Sequence, residues 1–263
     1  MNRISQTFHH LKLHNKKAIV PYITPEYPMK GTTVPLILGL EHAGASMIEI
    51  GIPFSDPLAD GPTIQHSSDI AIRNGATIGR VFECVKIARK QTDIPLILMG
   101  YINPVLHYGV EQFMSEAKDA GVDGLIVPDV PPEESDELRS LSKHYGVSNI
   151  FLIAPTSPDE RIQYLDEIST DFTYCVSVTG VTGARTSFSN DDSFENFLTR
   201  VRKNTKKPFV VGFGIKSKEQ IKQISAFADG VVIGSALIQA IKDETNIKSV
   251  VKKVTEFLLS LKS

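Results

Sequence analysis

The chain has 263 residues, of which 41% are hydrophobic and 22% charged, and its net charge at pH 7 is −2. This balance is that of a globular protein, and it favours neither a nucleic-acid partner nor an anionic membrane. The two cysteines have no CxxC spacing, and no apolar run has the length of a signal peptide or membrane span. The sequence therefore predicts a cytoplasmic protein without a disulfide framework or zinc knuckle.

The predicted elements begin with a short amphipathic helix, in which Ile4, Phe8 and Leu11 share one face. Eight short apolar runs follow, and most of them are continuous, as is typical of parallel strands buried on both faces. In chain order these runs are AIVPYIT from Ala18, MIEIGI from Met47, PLILMG from Pro95, GLIVP from Gly124, NIFLIA from Asn149, FTYCVSV from Phe172, FVVGFG from Phe209 and GVVIG from Gly230.

Helical patterns separate the later runs. Ser157 and Ser217 are each followed three residues later by Glu or Gln, which predicts two capped helix starts. Eight strands alternating with helices, without a linker, predict one (β/α)8 TIM-barrel domain over residues 1–263. A doubly wound sheet is the alternative, but it usually has fewer strands and a glycine-rich turn after the first. The second and third runs begin 48 residues apart, which predicts an insertion after the second strand.

The second run carries an acid, Glu49, in its middle. Because strand side chains alternate between faces, Ile48 and Ile50 are expected to meet the helices while Glu49 points into the barrel. A structural Glu would pair with a buried cation, yet none of the eight runs contains Lys or Arg. An unpaired buried carboxylate has a raised pKa, which suits proton transfer. Glu49 is therefore a candidate catalytic residue at the barrel mouth.

The loop after this run, FSDPLADGP, contains two more acids, Asp56 and Asp60. Aspartate is common in turns and near helix starts, so either one could be a turn former. A carboxylate close to Glu49 would complete an acid–base pair. Spacing alone does not choose between the two aspartates.

Three glycine-rich turns follow the sixth, seventh and eighth runs, and they begin at Gly180, Gly212 and Gly234. Glycine lets backbone N–H groups approach an anion, and the loops after the last strands of this fold often bind phosphate. Each glycine could instead only ease a strand into a loop, but three such turns in succession favour a phosphate site. No run supplies a lysine for Schiff-base chemistry, and no histidine has a metal-ligand spacing, so no metal is expected.

Long motifs resemble the alpha chains of tryptophan synthase over nearly the whole sequence. They are EIGIPFSDPLADGPTIQ, LMGYINP, VPDVPPEES, GVTGAR, GFGI and GSA. The resemblance implies retro-aldol cleavage of indole-3-glycerol phosphate to indole and glyceraldehyde 3-phosphate. It further implies a β-chain partner that carries pyridoxal phosphate and takes up the indole, an α2β2 tetramer, and no cofactor in this chain.

The resemblance also assigns roles to individual positions. It places the catalytic carboxylates at Glu49 and Asp60, with Thr182 in support of Asp60. The implied phosphate-binding positions are Gly183, Gly214, Gly234 and Ser235. The implied indole pocket consists of Tyr22, Met99, Pro128, Ile153, Tyr174, Phe213 and Val232.

Some positions depart from the family pattern. The first loop reads Thr24-Pro-Glu-Tyr-Pro28 where Thr-Ala-Gly-Asp-Pro is frequent, and Tyr22 stands where Phe is common. The added hydroxyl is expected to find a hydrogen bond, because a buried hydroxyl without a partner is unfavourable. Met99 replaces a frequent Leu, and its flexible thioether should fit. Two other functions stay open from the sequence: a catalytically silent barrel that only activates the β chain, and another phosphate-binding barrel enzyme.

Overall fold

In a computed structural model, which describes residues 2–176, 192–212, 214–215 and 217–261, parallel strands surround a buried centre. Each strand pairs with its neighbours in parallel, and the strand order around the sheet is β5-β4-β3-β2-β1-β9-β8-β7-β6. The strands are β1 Ala18–Ile23, β2 Ile48–Gly51, β3 Leu96–Met99, β4 Gly124–Ile126, β5 Ser148–Ile150, β6 Leu152–Ile153, β7 Thr173–Val176, β8 Phe209–Gly212 and β9 Gly230–Ile233.

The fifth predicted run forms two strands. Only Phe151 separates β5 from β6, and β5 pairs with β4 while β6 pairs with β7. The two segments therefore act as one interrupted strand that joins the two halves of the sheet. With this strand counted once, eight positions surround the centre, and the predicted (β/α)8 class is confirmed.

Helices connect the strands and cover the sheet. The described helices are α1 Arg3–Leu13, α2 Thr33–His42, α3 Pro62–Arg73, α4 Ile78–Arg89, α5 Ile102–Tyr108, α6 Val110–Ala120, α7 Asp136–Tyr145, α8 Asp159–Ile168, α9 Asp192–Asn204, α10 Lys218–Ser225, α11 Ser235–Ile241 and α12 Ile247–Ser260. Both α3 and α4 lie between β2 and β3, which confirms the insertion after the second strand. Over the part of the chain described here, no helix combines the length and apolar character needed to cross a bilayer.

The predicted N-terminal helix closes one end of the barrel. In α1, Ile4 and Phe8 are buried, and the Phe8 ring lies 5.4 Å from the ring of Phe172, centroid to centroid. The Asn2 side chain caps the helix and also donates to the Asp171 carboxylate at 2.7 Å. These contacts bind α1 to the N-terminal ends of the strands and leave the opposite end for a site.

Helices begin near both predicted starts, but only one of the two predicted caps is present. The Ser217 hydroxyl caps α10 by accepting from the Gln220 N–H. The predicted cap at Ser157 is wrong: its hydroxyl accepts from the Ala154 N–H at 3.2 Å, and α8 begins at Asp159 without a side-chain cap.

Strand register decides which side chains enter the barrel. Tyr22 of β1 is in register with Glu49 of β2, and Glu49 with Ile97 of β3. Partners in register point to the same side of a sheet, so these three side chains share the inner face. Ile48 and Ile50 occupy the other face and are fully buried beneath the helices. The predicted orientation of Glu49 is confirmed.

Candidate functional site

Glu49 is a buried acid that faces a cavity at the C-terminal ends of the strands. Its side chain lines this cavity together with Asp60, and the residue is only 2% exposed. Among the residues that the structure describes, no lysine or arginine pairs with it. Burial, helped by the negative charge of Asp60, raises the pKa of the Glu49 carboxyl to about 8. A group of this kind is protonated near neutral pH and can give up its proton.

Asp60 approaches Glu49 from the loop between β2 and α3. Burial raises the pKa of its carboxyl to about 6, and a hydrogen bond from the Tyr101 hydroxyl acts in the opposite direction. The same Tyr101 oxygen accepts from the Ala59 N–H at 2.9 Å, which fixes the loop beside the acid. Asp56 is exposed, and its carboxylate accepts from Ser55 at 2.5 Å. The structure thus brings Asp60, and not Asp56, to the cavity.

Two tyrosines wall the site, and each lies over a glycine of the next strand. A side-chain carbon at Gly51 would lie 1.9 Å from the Tyr22 hydroxyl oxygen, and one at Gly212 would lie 2.0 Å from that of Tyr174. Only glycine leaves room for these rings. Burial first, and the charges of the two acids second, raise the pKa of both phenols well above the ordinary value. Both hydroxyls are therefore neutral, and the rings exclude water from Glu49.

The added hydroxyl of Tyr22 has the hydrogen-bond partner that the sequence led us to expect, the side chain of Thr24. Thr24 in turn bonds to Ser67 of α3 at 2.7 Å between the two hydroxyl oxygens, and both residues are fully buried. The departure from phenylalanine is thus accommodated within a buried polar chain.

Three of the four predicted phosphate-binding positions line the same cavity: Gly214, Gly234 and Ser235. Gly234 directly precedes α11, whose first residue is Ser235. Gly214 has a φ of +79°, a conformation that favours glycine. The fourth position, Gly183, lies outside the described residues, as do Thr182 and Phe213.

The predicted indole pocket is only partly assembled around this cavity. Tyr22, Met99, Tyr174 and Val232 line it. Pro128 lies two residues beyond β4, is half-buried and is not among the described residues that line the cavity.

Ile153 must be removed from the predicted pocket. It is in register with Cys175, whereas Leu152 is in register with Tyr174. Since Tyr174 faces the cavity and neighbouring residues alternate, Ile153 points to the helices. Leu152 has the orientation that was expected of Ile153.

Sequence reasoning missed two residues of the site. Ile64 of α3 lines the cavity, and Tyr101 holds Asp60. Both stand inside motifs that carry the family resemblance, LMGYINP and GPTIQ, but neither follows from strand periodicity. Tyr101 comes after β3 has ended, in the segment that leads into α5.

The unusual first loop is anchored by its own acid. The Glu26 carboxylate is fully buried and accepts from Thr33 and from Arg80, each at 3.2 Å, and also from the Gly31 N–H. Its backbone has a φ of +58°, and its carbonyl accepts from Asn74, the residue that ends α3, at 2.8 Å. Pro25-Glu26-Tyr27 is therefore held against both α3 and α4.

The arrangement supports proton transfer. Glu49 and Asp60 have raised pKa values of different size, and a pair separated in this way can divide acid and base roles. Within the described ranges, no three His, Cys, Asp or Glu side chains are grouped so as to hold a metal ion.

Comparisons with known proteins point to one family. The sequence profile of the family described as tryptophan synthase alpha chain matches residues 8–263. The chain is 42% identical to the tryptophan synthase alpha chain of Pelodictyon phaeoclathratiforme over 99% of both sequences. It is 49% identical to that of Geotalea uraniireducens, over 92% of this chain and 90% of the relative.

Solved structures agree in fold. A crystal structure of tryptophan synthase subunit alpha from Legionella pneumophila has a TM-score of 0.89 at 34% identity, covering 99% of this chain and 97% of that one. A chain of the tryptophan synthase complex from Pyrococcus furiosus has a TM-score of 0.83 at 36% identity, covering 92% and 97%.

Proposed function

Because this chain belongs to the tryptophan synthase alpha chain family, we propose that it cleaves indole-3-glycerol phosphate to indole and glyceraldehyde 3-phosphate. One observation carries the proposal: Glu49, a buried acid that pairs with no cation among the described residues, shares a cavity with a second acid and with three candidate phosphate-binding positions. A silent barrel would have no reason to keep a carboxylate buried without a partner.

The proposed reaction is a retro-aldol cleavage. A proton must reach indole C3, and the hydroxyl on the adjacent side-chain carbon must lose one as that carbon becomes an aldehyde. The bond between C3 and the side chain then breaks, and its electrons return to the indole ring. Glu49 can donate the first proton and receive the second, so it ends the cycle as it began. Its raised pKa suits this exchange near neutral pH.

Asp60 has the complementary role in this proposal. When C3 is protonated, the indole nitrogen becomes electron-poor, and its N–H becomes a stronger donor. Asp60, whose pKa is about 6, is ionised at pH 7 and would accept that hydrogen bond. A fixed negative charge at this point stabilises the transition state more than the ground state. We assign Thr182 to the support of Asp60.

The remaining positions would bind the two ends of the substrate. Gly214, Gly234 and Ser235 offer backbone N–H groups and a hydroxyl to the phosphate, and we assign Gly183 to the same group. Tyr22, Met99, Tyr174 and Val232 would contact the indole ring, and we assign Phe213 and Pro128 to the surrounding wall.

The deciding experiment is release of indole from indole-3-glycerol phosphate by the purified chain, measured alone and with the β chain. We expect release in both conditions. Activation of the β chain without any release would favour the silent barrel. Binding of a different sugar phosphate, with no release, would favour another barrel enzyme; a rise in melting temperature would report such binding.

We further propose an α2β2 tetramer in which the barrel mouth meets the β chain. Leu58 in the loop after β2 is 82% exposed, and Leu106 on α5 is 55% exposed. Both lie at the end of the barrel where the site opens, which suits direct passage of indole. Exposed apolar side chains at an active-site rim are typical of interaction surfaces.

Sedimentation of a mixture with the β chain would give the stoichiometry. Leu58→Asp should weaken the complex at least tenfold. The matched control is Leu13→Asp, because Leu13 is 69% exposed at the end of α1, on the opposite side of the barrel. Equal weakening by both changes would exclude the mouth as the contact surface.

The proposed cleavage uses proton transfers alone, so we assign pyridoxal phosphate to the β chain and no cofactor to this site.

We also propose a cytoplasmic location. Cys84 and Cys175 are both buried free thiols, which suits a reducing compartment.

A further inference from the structure

A chain of buried hydroxyls links the site to α3. The Ser67 hydroxyl donates to the Ile64 carbonyl at 2.9 Å, and its oxygen lies 2.7 Å from that of Thr24. Ser67 has only one proton, and the carbonyl takes it, so Thr24 donates to Ser67. Thr24 is also bonded to the hydroxyl of Tyr22, which lines the cavity.

This chain is a long-range contact between two parts of the site. Thr24 directly follows β1, whose Tyr22 is in register with Glu49. Ser67 lies in α3, which begins two residues after Asp60. The bond between Thr24 and Ser67 therefore ties the helix behind Asp60 to the strand beside Glu49.

Other contacts transmit the position of α3 to Asp60. The Gln65 side chain donates to the Asp60 carbonyl at 2.8 Å, so the acid is held by the first turns of the helix. At the other end of α3, Asn74 donates to the carbonyls of Glu26 and Pro28 in the segment that follows Thr24. Hydrogen bonds along α3 and at its C-terminal end thus hold this helix against the segment after β1.

We propose that Thr24 is a positioning residue for the reaction: its hydroxyl, bonded to Ser67, fixes α3 and with it Asp60 against the end of β1, the strand beside Glu49. This inference rests on the proposed function. Displacement of a reacting group by about 1 Å can lower a rate on the order of 10²-fold, so a single buried hydrogen bond can matter at this place. The candidate phosphate-binding positions lie on other loops, so substrate binding should be largely unaffected.

Paired variants separate the hydroxyl from the volume of the side chain. Thr24→Val keeps the shape and loses the hydroxyl, whereas Thr24→Ser keeps the hydroxyl and loses a methyl group. We expect kcat for indole release to fall at least about tenfold in Thr24→Val with KM within about threefold, and Thr24→Ser to retain most of the activity. If Thr24→Ser loses as much as Thr24→Val, the residue acts by packing and the proposal is overturned.

Ser67 provides an independent test with its own control. Ser67→Ala should lower kcat in the same way, and Ser68→Ala should not, although Ser68 is also a buried serine of α3. Unchanged kcat in Ser67→Ala would overturn the proposal even if Thr24→Val fails to fold.

A measurement without substrate keeps this inference separable from the proposed function. Amide hydrogen exchange over residues 60–67 should be faster in Ser67→Ala than in Ser68→Ala. Equal exchange would overturn the positioning role. If the unmodified chain releases no indole, the proposed function fails, and the exchange result still decides whether the hydroxyl chain holds the Asp60 segment.

Discussion

Buried carboxylates occur at both ends of this barrel, and their surroundings differ. At the N-terminal ends of the strands, Asp123 accepts from Arg89 at 2.7 Å and from the Leu96 N–H at 2.9 Å. At the C-terminal ends, Glu49 and Asp60 face each other across a cavity, and no cation among the described residues pairs with either.

The difference separates stability from chemistry. A buried acid with a bonded cation and a backbone donor is satisfied, and removing it leaves a charge behind. A buried acid without a cation has a raised pKa and can exchange a proton. The two ends of one fold therefore use the same residue type for opposite purposes, and variants at each end should fail in different assays.

Glu49→Gln should give the largest effect. The amide keeps the shape but cannot transfer a proton, so indole release should fall by about 10²- to 10⁴-fold. Folding should be unharmed, because the change removes a buried acid that pairs with no cation in the described part of the chain. Steady-state release and a melting curve on the same preparation check both statements, and substantial turnover in this variant would contradict the mechanism.

Asp123→Asn should show the reverse pattern. It leaves Arg89, whose side chain is only 12% exposed, without its ion pair, so the free energy of unfolding should fall by about 3 kcal/mol, measured in urea. Turnover per folded molecule should stay close to that of the unmodified chain. Asp93→Asn is the control, since Asp93 and Asp123 both pair with Arg3 at 3.2 Å but the Asp93 side chain is 91% exposed. Its change should be below about 1 kcal/mol.

Asp60→Asn should lower activity by about 10²-fold, because the amide offers no charge to the indole N–H. Its loss should also lower the pKa of Glu49, which the charge of Asp60 helps to raise. The pH profile of kcat/KM would show that shift. Asp56→Asn should behave like the unmodified chain, since Asp56 is exposed outside the cavity. Equal losses in the two variants would mean that the charge acts at long range.

Periodicity predicted the features that depend on local sequence alone. The inward direction of Glu49 followed from alternation along one strand, and the helix start at Ser217 followed from its spacing to Gln220. The family resemblance was wrong at Ile153, because an error of one position along a strand moves a side chain to the opposite face of the sheet.

Features that depend on distant contacts could not be predicted in this way. The choice of Asp60 over Asp56 depends on Tyr101, which is 41 positions further along the chain and reaches the loop through a hydrogen bond. The bond between Thr24 and Ser67 likewise joins residues 43 positions apart. The family motifs identified Asp60, rather than Asp56, as the second catalytic carboxylate, but they gave no physical reason for this choice.

The last prediction concerns how the stability of the mouth depends on pH. A glutamate carboxyl in the unfolded chain has an ordinary pKa of 4.5, whereas the carboxyl of Glu49 has a pKa of about 8 in the folded protein. Between these values the folded state holds a proton that the unfolded state releases. Stability rises with pH only where the unfolded state binds more protons, so here it must fall as pH rises from 4.5 to about 8.

Glu49→Gln removes this dependence, so the variant should be more stable than the unmodified chain between pH 4.5 and about 8. The difference in the free energy of unfolding should grow by about 1.4 kcal/mol for each pH unit in this range, and it should disappear below pH 4.5. Urea unfolding of both proteins at about pH 5, 6.5 and 8 measures it, and Asp123→Asn at the opposite end should show no such gain. A difference between Glu49→Gln and the unmodified chain that stays constant with pH would mean that Glu49 is ionised in the folded protein, which would remove the basis for its role as the proton donor.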